Sequence, residues 1–312
     1  MSIRHPRGFT LVEMLVVLGI IAILAALLLP AAMGAVTRAR NTAIAMEIDQ
    51  LASAIEAYKQ DKGDYPPNFR NEQVFLRHVR KCYPRIANSE WQWFFTDAAG
   101  SLLTYPDGSP KFNDNRRLDE GEALVFWLSG TTTDPRYPFG VSSAAPASLS
   151  YKKYYEFDES RAVDEDSDSD TFRSYKAKFS KDTYYFYIDS RSYEQLAQFK
   201  DAGDPLDSYA VAEENVQPDS MSPTDENHCI RPYWSDNQRP GTGSLARALF
   251  KPMNPTTFQI LCAGQDGETG FPGVEPDVKQ FPSGTGYTKA DRDNITNFSN
   301  GRRLVDSTGK EK

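Results

Sequence analysis

Histidine and cysteine carry most general-base, nucleophilic and zinc chemistry, and this 312-residue chain has three of each. The histidines are His5, His78 and His228; the cysteines are Cys82, Cys229 and Cys262. No Cys-x-x-Cys occurs, which excludes a zinc ribbon or a thioredoxin-like motif. A Ser-His-Asp or Cys-His enzyme would have to use His78 or His228, and neither sits in a familiar catalytic context. His78 and Cys82 lie four apart on an expected helix, within reach of one metal, but two ligands do not complete a zinc site. Packing and capping roles suffice for both, and the chain reads as a non-enzyme.

The carboxylates are the second source of chemistry. The net charge is −8. Between Glu156 and Asp170 eight acids face one base, Arg161, so that window alone carries 1 − 8 = −7. The remainder is nearly neutral, which argues against a nucleic-acid partner. Tested as an EF-hand, the run from Asp164 to Asp170 fails. Its sixth position is Ser169 rather than Gly and its twelfth is Tyr175 rather than Glu. A solvated acidic loop over 156–170 is the expectation.

What positions these groups begins at the N-terminus. A short basic leader with Arg4 and Arg7 precedes a strongly apolar segment. From Met14 to Val36 no residue is charged. As a helix that run spans roughly 35 Å, enough to cross a bilayer. Glu13 stands at its start, where an unpaired carboxylate in hydrocarbon costs several kcal/mol. A secretory signal peptide or a plain anchor has no use for it.

These residues resemble a known family. Arg7-Gly8-Phe9-Thr10-Leu11-Val12-Glu13 is similar to the signal of type IV pilins and type II secretion pseudopilins. The resemblance implies that a prepilin peptidase cuts after Gly8 and that the new N-terminal Phe9 is methylated. It implies that Glu13 pairs with the Phe9 amine of a neighbouring subunit. That pairing would remove two desolvation penalties and fix the axial register. Pro30 matches the family's helix-kinking proline, and a kink or melted turn is expected there. Glu13 also favours a place within the filament shaft, because the family's tip subunit commonly lacks it.

Beyond the apolar run, Ile44, Ile48, Leu51, Ile55 and Tyr58 form a helical stripe, with Glu47, Gln50, Glu56 and Lys59 off it. Gly63 is the expected C-cap, and Pro66-Pro67 forbid continuation. The passage from Glu47 to Pro67, with Tyr58-Lys59, Gly63, Tyr65 and Pro66, resembles the major pseudopilin of type II secretion.

In the head, Asn71 caps an expected helix carrying Val74, Phe75, Val79 and Cys82. A second helix is expected after Ser89. Asp119 with Glu122 opens a third over Ala123–Leu128. The runs 184–188 and 258–261 read as strands. Residues 200–245 read as loop. A disulfide between two of the three cysteines would suit an oxidising compartment, though the spacing does not choose the pair.

The segments 258–267 and 291–298 resemble the closing strand, calcium loop and final element of major pseudopilins. Carried over, Asp266 is a side-chain Ca²⁺ ligand and the Ala263 carbonyl a helper, with Asp291 or Asp293 supplying the second carboxylate. Calcium needs six to eight hard oxygens from a flexible loop. Here a Pro/Gly-rich insertion separates Asp266 from Asp291. A simple Asp266-Gly267 turn and a cap at Asp293 read equally well from the same residues.

The expected fold is α+β, a long N-terminal helix packed on a small antiparallel head. The parts are a leader (1–8), a transmembrane or filament-core helix (9–36), an amphipathic helix (37–62) and a head (63–312) with an insertion at about 68–257. The resemblance implies a single-pass protein of the inner membrane, its head in the periplasm or outside the cell. Its partners would be like subunits, the prepilin peptidase and the inner-membrane assembly platform. Its activity would be filament assembly in support of protein export. The alternative is a surface-displayed pilin whose large head binds an external ligand.

Overall fold

The computed structural model describes residues 10–113, 116–163, 172–179, 183–193, 231–238, 250–264, 266–269 and 279–308. One helix dominates them. α1 (Leu11–Lys62) runs for 52 residues, or roughly 80 Å. Thr10 caps its start and Gly63, at φ 78°, ends it in the left-handed region open to glycine. The stripe expected from spacing is the face that packs: Ile44, Ile48, Leu51, Ile55 and Tyr58 are all buried.

Pro30 does not melt a turn. α1 is helical on both sides of it and through it. A proline removes one N–H bond, and the flanking bonds of a long helix can hold the segment together.

The head follows the caps and turns read from sequence. α2 (Glu72–Cys82) starts at Asn71, whose side chain accepts from the Val74 N–H. α3 (Asn88–Gln92) continues into a 3₁₀ turn at Trp93–Phe95. α4 (Glu120–Leu128) opens with the Asp119/Glu122 capping box. Phe69, Phe75, Phe94, Phe112 and Trp127 form an aromatic core among these helices.

Ten short strands follow among the described residues. β1 (Thr131–Thr132) pairs with β2 (Tyr151–Lys152), and β3 (Ala162–Val163) with β4 (Ser174–Tyr175), both antiparallel. β5 (Tyr185–Asp189), β8 (Phe258–Cys262) and β10 (Ile295–Thr296) make the central antiparallel sheet, in the order β10-β8-β5. Its face carrying Tyr185, Tyr187, Phe258 and Ile260 joins the α1 stripe and α4 in one core. A second sheet, β7-β6-β9, comprises β6 (Tyr233–Gln238), β7 (Phe250–Pro252) and β9 (Lys279–Phe281). β6 pairs parallel with β9. The loop expected over 200–245 therefore contains a strand; residues 200–230 and 239–245 lie outside the described residues. α5 (Leu304–Ser307) closes the described chain.

The architecture is the expected one, a long N-terminal helix on small sheets in an α+β head, antiparallel throughout the central sheet and mixed only where β6 meets β9. Cys82 and Cys262 carry free thiols, so neither forms the disulfide considered from sequence; Cys229 lies outside the described residues. So do Asp164–Asp170, the densest part of the acidic loop.

Candidate functional site

Glu13 sits in the first turn of α1. Its carboxylate accepts from the Thr10 backbone N–H at 2.8 Å and from the Thr10 hydroxyl at 2.9 Å. The Glu13 N–H in turn donates to the Thr10 hydroxyl oxygen at 3.2 Å. This Thr-x-x-Glu capping box holds the carboxylate at the N-terminal tip of the helix, where the macrodipole also favours an anion. The Thr10-x-x-Glu13 spacing is itself a legible helix cap. Gly8 and Phe9 lie outside the described residues.

Behind Glu13 nothing among the described residues covers the helix. Leu15, Leu18, Ile21, Leu24 and Leu28 are each more than half exposed, and none of the most apolar 18-residue stretch is buried. Burying a side chain of this size is worth about 1.5–3 kcal/mol. A naked apolar helix of this length requires either lipid or other helices around it.

The second half of α1 is fastened to the head by polar contacts that apolar spacing did not disclose. Glu47 lies off the stripe yet is buried. Both its oxygens accept from Arg161, at 2.8 and 2.6 Å, and the Tyr185 hydroxyl donates to it at 2.6 Å. At the penultimate residue of α1, Asp61 accepts from Lys152 at 2.6 Å and from the Tyr154 hydroxyl at 2.5 Å. Just past the cap, Asp64 meets His78 at 3.2 Å and Arg191 at 3.0 Å.

The last contact gathers Asp64, His78 and Cys82, the residues nearest to a catalytic set among those described. The imidazole is fully buried, and the Tyr58 hydroxyl occupies its Nε2 at 2.9 Å. Burial lowers its pKa, with Asp64 opposing that shift. Cys82 lies 3.7 Å from His78 Nδ1, and burial pushes its thiol up to about 11. An activated thiolate requires the opposite shift. The cluster packs the end of α1 onto α2, and no group of three His, Cys, Asp or Glu suited to a metal occurs among the described residues.

The four residues considered for calcium separate into two arrangements. Asp266 and Asp293 come together: the Asp266 N–H donates to Asp293 Oδ2 at 3.3 Å. Burial raises the Asp266 carboxyl to about 6, and the Asp293 charge adds to the shift. The Asp293 carboxylate packs against the backbone of Gly264. Gly264 makes room for this carboxylate, since a Cβ there would lie 2.2 Å from its carbon. Two crowded hard-oxygen acids suit a hard cation in donor type. Asp291 is engaged otherwise. It is buried, forms an ion pair with Lys279 at 2.6 Å, and accepts from the Tyr233 hydroxyl at 2.8 Å and from the Thr288 N–H at 2.8 Å. The Lys279 ammonium already supplies its counter-charge. Ala263 is buried at the end of β8, beside Gly264.

An uncovered apolar helix with one acid at its tip, fused to an α+β head, defines a membrane-anchored, pilus-like subunit. Residues 3–29 match the family described as the prokaryotic N-terminal methylation motif. Type II secretion system core protein G of Dickeya chrysanthemi is 40% identical over 130 residues, covering 36% of this chain and 85% of that protein. The protein of that name from Klebsiella pneumoniae is 29% identical over 131 residues, covering 36% and 93%. The type IV wide pilus major component PilA4 of Thermus thermophilus is 40% identical over 65 residues, covering 21% and 50%. The chain belongs to the pseudopilin/pilin family. With several relatives the match spans about half of the relative's length, 50% for PilA4 and 54% for core protein G of Pseudomonas aeruginosa. No solved structure matches.

Proposed function

We propose that this chain is a pseudopilin subunit of a type II secretion filament or a related type IV pilus-like filament. It is cut after Gly8 by a prepilin peptidase, methylated on Phe9, and held in the inner membrane by the apolar half of α1 until an assembly platform extracts it. In the filament that half of α1 packs against the same region of neighbouring subunits. Glu13 then exchanges its Thr10 contacts for the Phe9 amine of a neighbour. Lengthening the filament supports export of other proteins.

The observation that carries this reading is the bare apolar surface of α1 from Leu11 to Val36, with Glu13 as its single acid. The match to core protein G over most of that protein's length supports the secretion assignment. Gly8→Ala tests processing: the variant should accumulate at precursor mass, and normal shortening would contradict the cleavage site. Recovery of the wild type mainly in sheared surface filaments, rather than in the cell envelope, would favour the displayed pilin over the secretion subunit.

Asp266 and Asp293 are proposed as a Ca²⁺ pair that orders the loop after β8, with Asp291 bound to Lys279 instead. When present, the ion would neutralise the two facing carboxylates.

A further inference from the structure

The last described segment returns to α1 where its apolar half ends. Gly301, at φ 73°, approaches so closely that a Cβ there would lie 3.2 Å from that of Ala45. Leu304 and Val305 are buried, and the Leu304 N–H donates to the Asn294 carbonyl at 2.9 Å, which fixes α5 against the end of the central sheet. This return sets Arg302 and Arg303 beside Arg38. The three arginines, with Thr37, Asn41, Thr42 and the carboxylate of Asp306, line an open groove of about 570 Å³.

Their charges are not equally committed. Arg303 is spanned by Asp306, at 3.0 and 2.8 Å. Arg38 and Arg302 are exposed and form no ion pair with an acid among the described residues. Arg38 is two residues beyond Val36, the last apolar residue of the uncharged run. That is roughly 3 Å along the helix, the level at which lipid phosphates would begin if α1 spans a bilayer. Guanidinium groups fork phosphate oxygens, and basic residues beside a spanning helix favour anionic headgroups.

We infer that Arg38 and Arg302 form a binding site for the phosphate of an anionic phospholipid on the head side of the membrane. The headgroup would be held while the subunit is anchored and released when α1 leaves the bilayer. The site rests on the membrane-anchored reading of α1 and adds to it a lipid ligand.

The test is hydrogen exchange of the full chain in nanodiscs of phosphatidylglycerol or of phosphatidylcholine, with residues 14–36 reporting insertion. Amides of 299–308 should exchange severalfold more slowly in phosphatidylglycerol. The double variant Arg38→Gln/Arg302→Gln should lose that difference while α1 stays protected. Equal exchange in the two lipids with α1 protected would overturn the site and leave the anchor standing. Equal protection in phosphatidylcholine on adding inorganic phosphate would overturn the headgroup in favour of a soluble anion. Rapid exchange across 14–36 in both lipids would overturn the anchor and the site together.

Discussion

Arg161 holds both oxygens of Glu47, Nη1 to Oε1 at 2.8 Å and Nη2 to Oε2 at 2.6 Å, across 114 residues of sequence. The pair locks the amphipathic half of α1 to the antiparallel pair of β3 and β4, and the Tyr185 hydroxyl completes it from the central sheet. It lies almost wholly out of water, with side-chain exposures of 14% and 4%. Such a pair is costly to break by halves, because the remaining charge is stranded. Arg161→Ala should destabilise the head by about 3–5 kcal/mol. Glu47→Leu with Arg161→Met should recover much of that loss. Denaturant unfolding of the full chain in micelles measures both, and a double variant no better than Arg161→Ala would contradict a stranded charge.

His78 makes folding sensitive to acid. Its pKa is lowered by burial, against the partial support of Asp64. The unfolded chain therefore takes up a proton near the ordinary histidine value of about 6.5 that the folded chain takes up only at lower pH. Stability from this group is complete above about 6.5 and is lost as pH falls toward the folded value, at no more than about 1.4 kcal/mol per pH unit. His78→Asn should lower stability at neutral pH and flatten its fall between neutral and mildly acidic pH. Unfolding midpoints at the two pH values check this; an unchanged slope in the variant would contradict it.

Apolar spacing made the scaffold legible. The stripe from Ile44 to Tyr58 gave the buried face of α1, and Gly63, Asn71 and Asp119 marked the helix ends that form. The strands at 184–188 and 258–261 pair in the central sheet. Spacing failed where polar partners are distant in sequence. Glu47 looked like a solvent-facing residue because nothing local announces Arg161. β6 was hidden because Tyr233–Gln238 mixes aromatic and polar residues without clean alternation. At Pro30 the residue rule allows a kink or a melted turn; the turn stays helical, because the surrounding helix outweighs one missing bond.

The Asp266–Asp293 pair gives a metal prediction. Thermal unfolding of the full chain should shift upward on adding Ca²⁺, and Asp293→Asn should abolish that shift. Gly264→Ala should mimic the loss, because its Cβ would collide with the Asp293 carboxylate. Equal wild-type melting with Ca²⁺ and with chelator would remove the ion from the loop.

Glu13→Ala, followed by N-terminal mass spectrometry and quantification in filaments, is the most direct test of assembly through α1. Processing should be intact, with both proteins beginning at methylated Phe9, while filament incorporation of the variant should fall at least about tenfold, the equivalent of 1.4 kcal/mol. Processed Glu13→Ala present in filaments at the wild-type level would contradict assembly through the Glu13 carboxylate.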